Sequence, residues 1–486
     1  MINPLFKTLL LAIALLFSFE TANCQEIQKI EENYLNRLLE NYKKQASRSF
    51  HKGRYLIITP SGFEQTLEYF ANYKRNIGFD VQIVNTKTIG KTSKLIKTYI
   101  QNQYNKTSTR PDYILLVGDV DSIPAHSGNS SGKVKTDPIN DLGYALLEGK
   151  DFLADVFIGR FSVANVEELK NIINKTIFME VNLHLFEKNA TFLAGDEKKG
   201  VWNRTYMKNS FKNGHEAAIS NGFIPLGYNC QRLYQPNKTA AIKALSDNTL
   251  FFSYAGHGTF FTLAGKSFEI GNKEILAATN TVFPFVFSFS CKTGCFTQTS
   301  IGEYFIRAKN KGGVAFFGAS VNSHTNTDII IQKRIFGDAF TQNIRQLSPM
   351  INQGMRQFAS AVGIRKKIKE MFLKAYNLLG DPSLDIRGLF ASTKNNDRII
   401  NPALFSVFSN PLKNDFSLAY TLEKESIVQI DIYNTLGEHV KNIIQLSKQK
   451  SGVYYYNFSL KDLPSGVYEL VYKDSSQSMA TQVKIE

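Results

Sequence analysis

Two residues of this chain carry side chains that could form a nucleophile and its proton partner, and each stands at the end of a short apolar run. The first run is Leu250-Phe251-Phe252-Ser253-Tyr254-Ala255-Gly256, followed by His257-Gly258; the second is Phe283-Pro284-Phe285-Val286-Phe287-Ser288-Phe289-Ser290, followed by Cys291. Aromatic, β-branched runs of this length read as buried strands. In an open parallel sheet the carboxyl ends of the strands line one edge, where ligands bind. If the two strands are neighbours, His257 and Cys291 share that edge, and a thiolate beside an imidazole is the minimum of a cysteine nucleophile. Gly258 has no side chain, so its N–H could approach a developing oxyanion together with the N–H of Cys291. The competing reading makes both residues core members at strand ends, because buried free cysteine is common.

The surrounding pattern predicts the elements that would position them. Strands are expected at Tyr55–Ile58, Asp80–Val84, Tyr113–Val117 and Asp155–Ile158, and helices at Phe63–Asn76, Thr92–Gln103 and Val166–Leu183. This alternation predicts an α/β fold of mostly parallel sheets flanked by helices. A second α/β stretch opens at Ala190–Ala194. It holds the two runs above, a helix near Ile301–Lys309, a strand at Val314–Gly318, and helices over much of 328–345 and 351–378. The expected division is an α/β subdomain over 54–188, a catalytic α/β subdomain over 189–388, a linker over 389–403 and a small all-β sandwich over 404–486. In that last part Val428, Ile430 and Ile432 alternate with Gln429, Asp431 and Tyr433, and Ser-Gly-Val-Tyr occurs at 451–454 and again at 465–468.

The start of the chain reads as a signal peptide over 1–24: a basic Met1–Lys7, an apolar Thr8–Phe19, and small residues up to Cys24, with Gln25 as the mature start. Acylation of Cys24 is the weaker alternative, because Asn23 is awkward before it. Residues 25–53 read as a helical extension or pro-segment, with Lys52 or Arg54 as release points. No other run is long and uncharged enough for a transmembrane helix. Loss of Cys24 leaves Cys230, Cys291 and Cys295, an odd count that is no disulfide scaffold and favours a reactive thiol. The formal net charge is +15. Its Lys and Arg are scattered and no nucleic-acid motif accompanies them, which argues against nucleic-acid binding and for a solvated basic surface.

Tyr254-Ala255-Gly256-His257-Gly258, followed by Ser290-Cys291-Lys292-Thr293-Gly294-Cys295-Phe296, resembles the gingipain family of cysteine peptidases. Val117-Gly118-Asp119, Val156-Phe157-Ile158-Gly159-Arg160-Phe161-Ser162 and Gly380-Asp381-Pro382-Ser383-Leu384 extend the resemblance over about residues 54–388. It implies a caspase-like fold with Cys291 as nucleophile, His257 as its partner, and Gly258 and Cys291 N–H groups as oxyanion hole. Cys295 falls where the family carries an acid, and Cys230 has no matched role. Asn140-Asp141-x-x-Tyr144 resembles the segment lining the P1 pocket, so Asp141 is implied to bind a basic P1 side chain; the alternative is a turn Asp beside Asp137-Pro138. The family's aromatic cover of that pocket falls near His324-Thr325. Asp119, Asp121 and Asp137 are open candidates for a third member orienting His257. Catalysis needs no cofactor; the family binds calcium, so a structural calcium enters as an implication, although no calcium loop is legible.

Asn410-Pro411, Ile430-x-Ile432-Tyr433-Asn434-x-Leu436-Gly437 and Leu463-Pro464-Ser465-Gly466-Val467-Tyr468 resemble the type A sorting domain of the type IX secretion system of Bacteroidetes. This implies the secretion machinery as a partner, export through the periplasm, and a secreted or outer-membrane-associated protein. The resulting expectation is an exported endopeptidase acting on proteins or peptides after Arg or Lys. The alternatives are a processing peptidase or transpeptidase of exported proteins, or a silent surface adhesin.

Overall fold

The computed structural model describes residues 52–126, 138–386 and 405–485, apart from 184–185, 196–203, 266, 414, 423–424, 435–436, 450–451, 461 and 476–477. The expected signal peptide, nearly all of the N-terminal extension, Asp137 and the linker therefore lie outside the described residues. Strands β1 (Gly53–Thr59), β2 (Phe79–Asn85), β3 (Tyr113–Val117), β4 (Phe157–Phe161), β5 (Asn189–Ala194), β6 (Asn229–Tyr234) and β7 (Phe251–Ala255) come first. A small hairpin unit follows, with β8 (His257–Gly258), β9 (Leu263–Ala264) and β10 (Glu269–Ile270). Then come β11 (Phe285–Phe289), β12 (Ala315–Ala319) and β13 (Tyr376–Leu379). Ten of these form one sheet in the order β2-β1-β3-β4-β13-β12-β11-β7-β5-β6.

The sheet has two halves of opposite sense. β1 to β4 are mutually parallel, and so are β5, β6, β7, β11 and β12. β13 lies between them, antiparallel to β12 but parallel to β4. The carboxyl ends of β7, β11 and β12 thus face one edge, and those of β1, β3 and β4 the other. Every residue of β3, β7, β11 and β12 is buried, as a sheet covered on both faces requires. β6, at the rim, is largely exposed.

Covering helices include α1 (Glu64–Asn76), α2 (Ser93–Tyr104), α3 (Val166–Asn182), α4 (Arg204–Ala218), α5 (Lys238–Ser246), α6 (Ile301–Arg307), α7 (Thr325–Lys333), α8 (Leu347–Ser360) and α9 (Lys366–Ala375). Their starts are set by side-chain caps where the sequence supplies them. Thr92 accepts from Leu95 N–H, Asn165 from Glu168 N–H, and Ser300 with Glu303 forms a capping box. The α1–α3 side holds a buried ion cluster. Lys74 Nζ lies 2.6 Å from both Glu180 and Asp381, and Tyr55 donates to Asp381 at 2.7 Å. Asp381 belongs to the closing segment after β13. That segment crosses the sheet at Gly159, where a side chain would collide with the Gly380 carbonyl.

One expectation needs correction here. Arg54 is inside β1, its N–H donating to Asp112 at 2.8 Å, and Lys52 N–H already bonds Gly78 O at 2.7 Å. Release of an N-terminal segment at Arg54 would sever a paired strand.

The C-terminal region is all β: β14 (Phe405–Lys413), β15 (Asp415–Leu422), β16 (Ser426–Asn434), β17 (His439–Gln449), β18 (Gly452–Ser459), β19 (Gly466–Lys473) and β20 (Ser478–Ile485). Their order is β17-β16-β19-β20-β14-β15-β18. β14 pairs with β15 near its start and with β20 at Leu412, and shifts register in between, so one strand serves two sheets. Val428, Ile430 and Ile432 are buried as the alternation predicts. Asp431, on the other face, is also buried, and it accepts from His439 at 3.1 Å, Asn442 at 2.7 Å and Gln429 at 2.8 Å.

Candidate active site

β7 and β11 are adjacent and in register from Phe251↔Phe285 to Ala255↔Phe289. Two residues beyond each strand come His257 and Cys291, so the pairing brings them to the same point of the sheet edge. Both are half-buried. A side chain on Gly258 would sit 2.7 Å from Cys291 O and 2.8 Å from Ser290 Oγ, so only glycine lets this backbone lie against the cysteine turn. Tyr254 Oη donates to His257 O at 2.6 Å and to Ala264 O at 2.9 Å, and the Phe211 ring of α4 meets the imidazole edge-on at 6.5 Å. These contacts fix the backbone and one face of His257.

The cysteine turn is held from β12. Lys292 adopts φ 61°, unusual for a side chain other than glycine, and its N–H bonds Val321 O at 2.9 Å. Gly294 N–H bonds Ala319 O at 2.9 Å. Beneath the turn Ser288, Ser290 and Thr293 bond one another through their hydroxyls at 2.8–3.2 Å.

The thiol meets a residue that the motifs do not single out. Ser323, in the loop from β12 to α7, donates its N–H to Cys291 Sγ at 3.3 Å, and its carbonyl lies 3.6 Å from Sγ. Ser323 Oγ is 3.8 Å from Sγ and donates to Asp328 at 2.6 Å; Tyr376 Oη donates to the other oxygen of Asp328 at 2.7 Å. Burial pushes the Asp328 carboxyl up to about 7, with the two hydroxyls pulling the other way. Among the described residues no cation is paired with it. The signal in the sequence was positional: β12 pairs in parallel with β11 and ends on the same edge, so its following loop lies beside the site.

Asp141 does not present a free carboxylate. It is buried, and Arg160 grips it bidentately, Nε and NH2 each at 2.7 Å. The basic group that Asp141 meets is thus internal to the fold. Asp119 and Asp121 follow β3, whose carboxyl end faces the opposite edge, five strand positions or roughly 24 Å from β7. Neither is placed to orient His257. Cys295 is buried with Sγ 3.3 Å from Thr297 Oγ1, and Cys230 lies on the rim strand β6. His324 precedes α7, its ring 6.1 Å from that of Phe372. Among the described residues no group of three or more His, Cys, Asp or Glu is placed to hold a metal.

A family model described as peptidase family C25 matches residues 48–387. The chain belongs to that family. A second model, a secretion system C-terminal sorting domain, matches residues 406–486. Gingipain R2 of Porphyromonas gingivalis is 28% identical over 360 residues, covering 69% of this chain and 46% of the relative. Lys-gingipain of the same organism is 27% identical over 286 residues, covering 57% of this chain and 16% of the relative. The chain therefore spans less than half the length of either. The crystal structure of the Arg-specific cysteine proteinase gingipain R matches with TM-score 0.59 at 21% identity, over 89% of this chain and 98% of that one. A complex of gingipain pro- and mature domains from Porphyromonas gingivalis matches equally, at TM-score 0.59 and 22% identity, over 89% and 100%. At this identity the structural likeness carries the C25 fold. No helix among the described residues is long and apolar enough to cross a membrane.

Proposed function

We propose that this C25 chain is an exported cysteine endopeptidase that cleaves after Lys or Arg. The observation that carries the reading is the β7–β11 register, which sets His257 beside Cys291 with the Gly258 backbone against the cysteine turn. Cys291 Sγ, as thiolate, attacks the scissile carbonyl. The N–H groups of Gly258 and Cys291 receive the oxyanion. His257 gives a proton to the leaving amine and then takes one from the water that hydrolyses the thioester. No step needs a metal.

The preference for a basic P1 residue is assigned to Asp328 in place of Asp141. Asp141 already has its cation, whereas Asp328 is a buried acid one residue's reach from the thiol, held by two hydroxyls and, among the described residues, by no positive charge. A P1 ammonium or guanidinium would supply the missing charge. The sorting-domain match supports the type IX machinery as the export partner and the cell surface or exterior as destination.

The test is cleavage of matched fluorogenic peptides with Lys, Arg, Asp or Leu at P1, under reducing conditions. Cys291→Ala is expected to lower kcat/KM at least about 10³-fold with unchanged thermal stability. Asp328→Asn is expected to lower the Lys or Arg preference over Leu. Activity surviving in Cys291→Ala would sink the mechanism, and a Lys/Arg preference unchanged in Asp328→Asn would sink only the specificity assignment.

A further inference from the structure

Ser323 touches the sulfur through three atoms, yet nothing in the peptidase motifs points to it. Its N–H donates to Sγ at 3.3 Å, its carbonyl faces Sγ at 3.6 Å, and its hydroxyl stands between Sγ at 3.8 Å and Asp328 at 2.6 Å. We propose that Ser323 is a positioning residue for the nucleophile, whose hydroxyl relays the charge state of Asp328 to the sulfur of Cys291. The proposal rests on reading Cys291 as the nucleophile.

The relay has two settings. With Asp328 ionised, the Ser323 hydroxyl donates to Asp328 at 2.6 Å, much the shorter of its two contacts, and the sulfur as thiolate accepts from the Ser323 amide alone. When Asp328 takes a proton from solvent, its own O–H donates to Ser323 Oγ, and the Ser323 hydroxyl proton turns toward Sγ. The sulfur then carries two hydrogen bonds and is a weaker nucleophile. Tyr376 Oη donates to the second Asp328 oxygen in both settings. Among the described residues the titratable groups nearest Asp328 are Tyr376 of β13, which bonds it and also faces Cys291, and His324 one turn earlier, whose carbonyl accepts from the Asp328 N–H; its side-chain partners are Ser323 and Tyr376. Desolvation places the Asp328 transition near neutrality, so both settings are reachable in ordinary buffer. A basic P1 side chain bound at Asp328 would hold the ionised setting, so that the cognate substrate would itself keep the sulfur in its more reactive state.

The experiment measures iodoacetamide alkylation of Cys291 in the full chain, followed on the peptide bearing that residue, from about pH 5 to about pH 9. With the thiolate fraction measured in parallel from its ultraviolet absorbance, the wild type is expected to show a step near pH 7 in the alkylation rate per thiolate, which rises roughly threefold to tenfold as Asp328 ionises. Ser323→Ala keeps the backbone amide and should lose the step; Ser323→Thr keeps a hydroxyl and should retain it. A step that persists in Ser323→Ala means that Asp328 acts through space, and overturns the relay. A wild-type profile with no step near pH 7 also overturns it. Because the readout is alkylation and needs no substrate, either result stands apart from the Cys291→Ala peptide assay.

Discussion

The two halves of the ten-stranded sheet are built alike and used differently. Each is a run of parallel strands with helices on its faces, and each places glycine where backbones cross closely. In the half from β1 to β4 two buried charge clusters are matched by opposite charges inside the fold, while Lys175 of α3 is met by three backbone carbonyls. Lys74 sits between Glu180 and Asp381, and Arg160 holds Asp141. Gly159 admits only the chain's own closing segment. In the half from β5 to β12 the edge residues are left unmatched: Cys291 and His257 are half-buried, Asp328 has hydroxyl partners but no counter-charge among the described residues, and Gly258 opens backbone beside the thiol. A paired buried ion can be removed from the account of chemistry; an unpaired one calls for a ligand.

This contrast can be broken most forcefully at Lys74. Lys74→Met leaves two carboxylates facing each other in the interior, and is expected to cost about 3–5 kcal/mol of stability by urea unfolding. The kcat of the folded fraction should stay within about twofold, since the site lies in the other half. A large loss of kcat at unchanged stability would show that the halves are functionally coupled. Next, Gly258→Ala and Gly159→Ala form a matched pair. The first is expected to lower the kcat of the folded fraction about 10²-fold, in addition to the stability lost to its contact with Cys291 O. The second should lower stability by about 1–3 kcal/mol and spare kcat. Equal behaviour of the two variants would erase the distinction.

A further expected effect concerns pH. Asp328 has its folded-state value raised from 3.8 to about 7, so between those values the folded chain binds a proton that the unfolded chain releases. Stability contributed by this group is therefore present below about pH 4 and declines as pH rises toward about 7, by a few kcal/mol at most. Asp328→Asn should flatten that slope in unfolding curves taken across the window. A wild-type curve without the decline would place Asp328 in a better solvated, already matched setting.

Much of this arrangement was legible before any coordinates. The apolar runs ending in His257 and Cys291 gave neighbouring strands, and the alternation gave nearly every strand of the first half. What escaped notice depended on long-range pairing. Tyr376-Asn377-Leu378-Leu379 continues the apolar pattern of α9, so β13 read as helix, although it is the strand between the halves. That reversal is what carries Asp119 and Asp121 to the far edge. Asp141 and Arg160 lie 19 residues apart in the chain, and no periodicity links them. Asp328, an acid in the first turn of α7, carries no mark in the sequence, because Tyr376 and Ser323 converge on it only in the folded chain.

The place of β13 has a consequence for the order of assembly. It is the last strand of the sheet to be synthesised, yet it occupies the seam, with β4 on one side and β12 on the other. Until Leu379 is available, both half-sheets carry an open inner edge, and Tyr376 is missing from behind Asp328. Such late, distant pairing is slow to form and exposes the chain while it waits. The Cys291 site is therefore completed only when the whole stretch through Leu379 is present to fold.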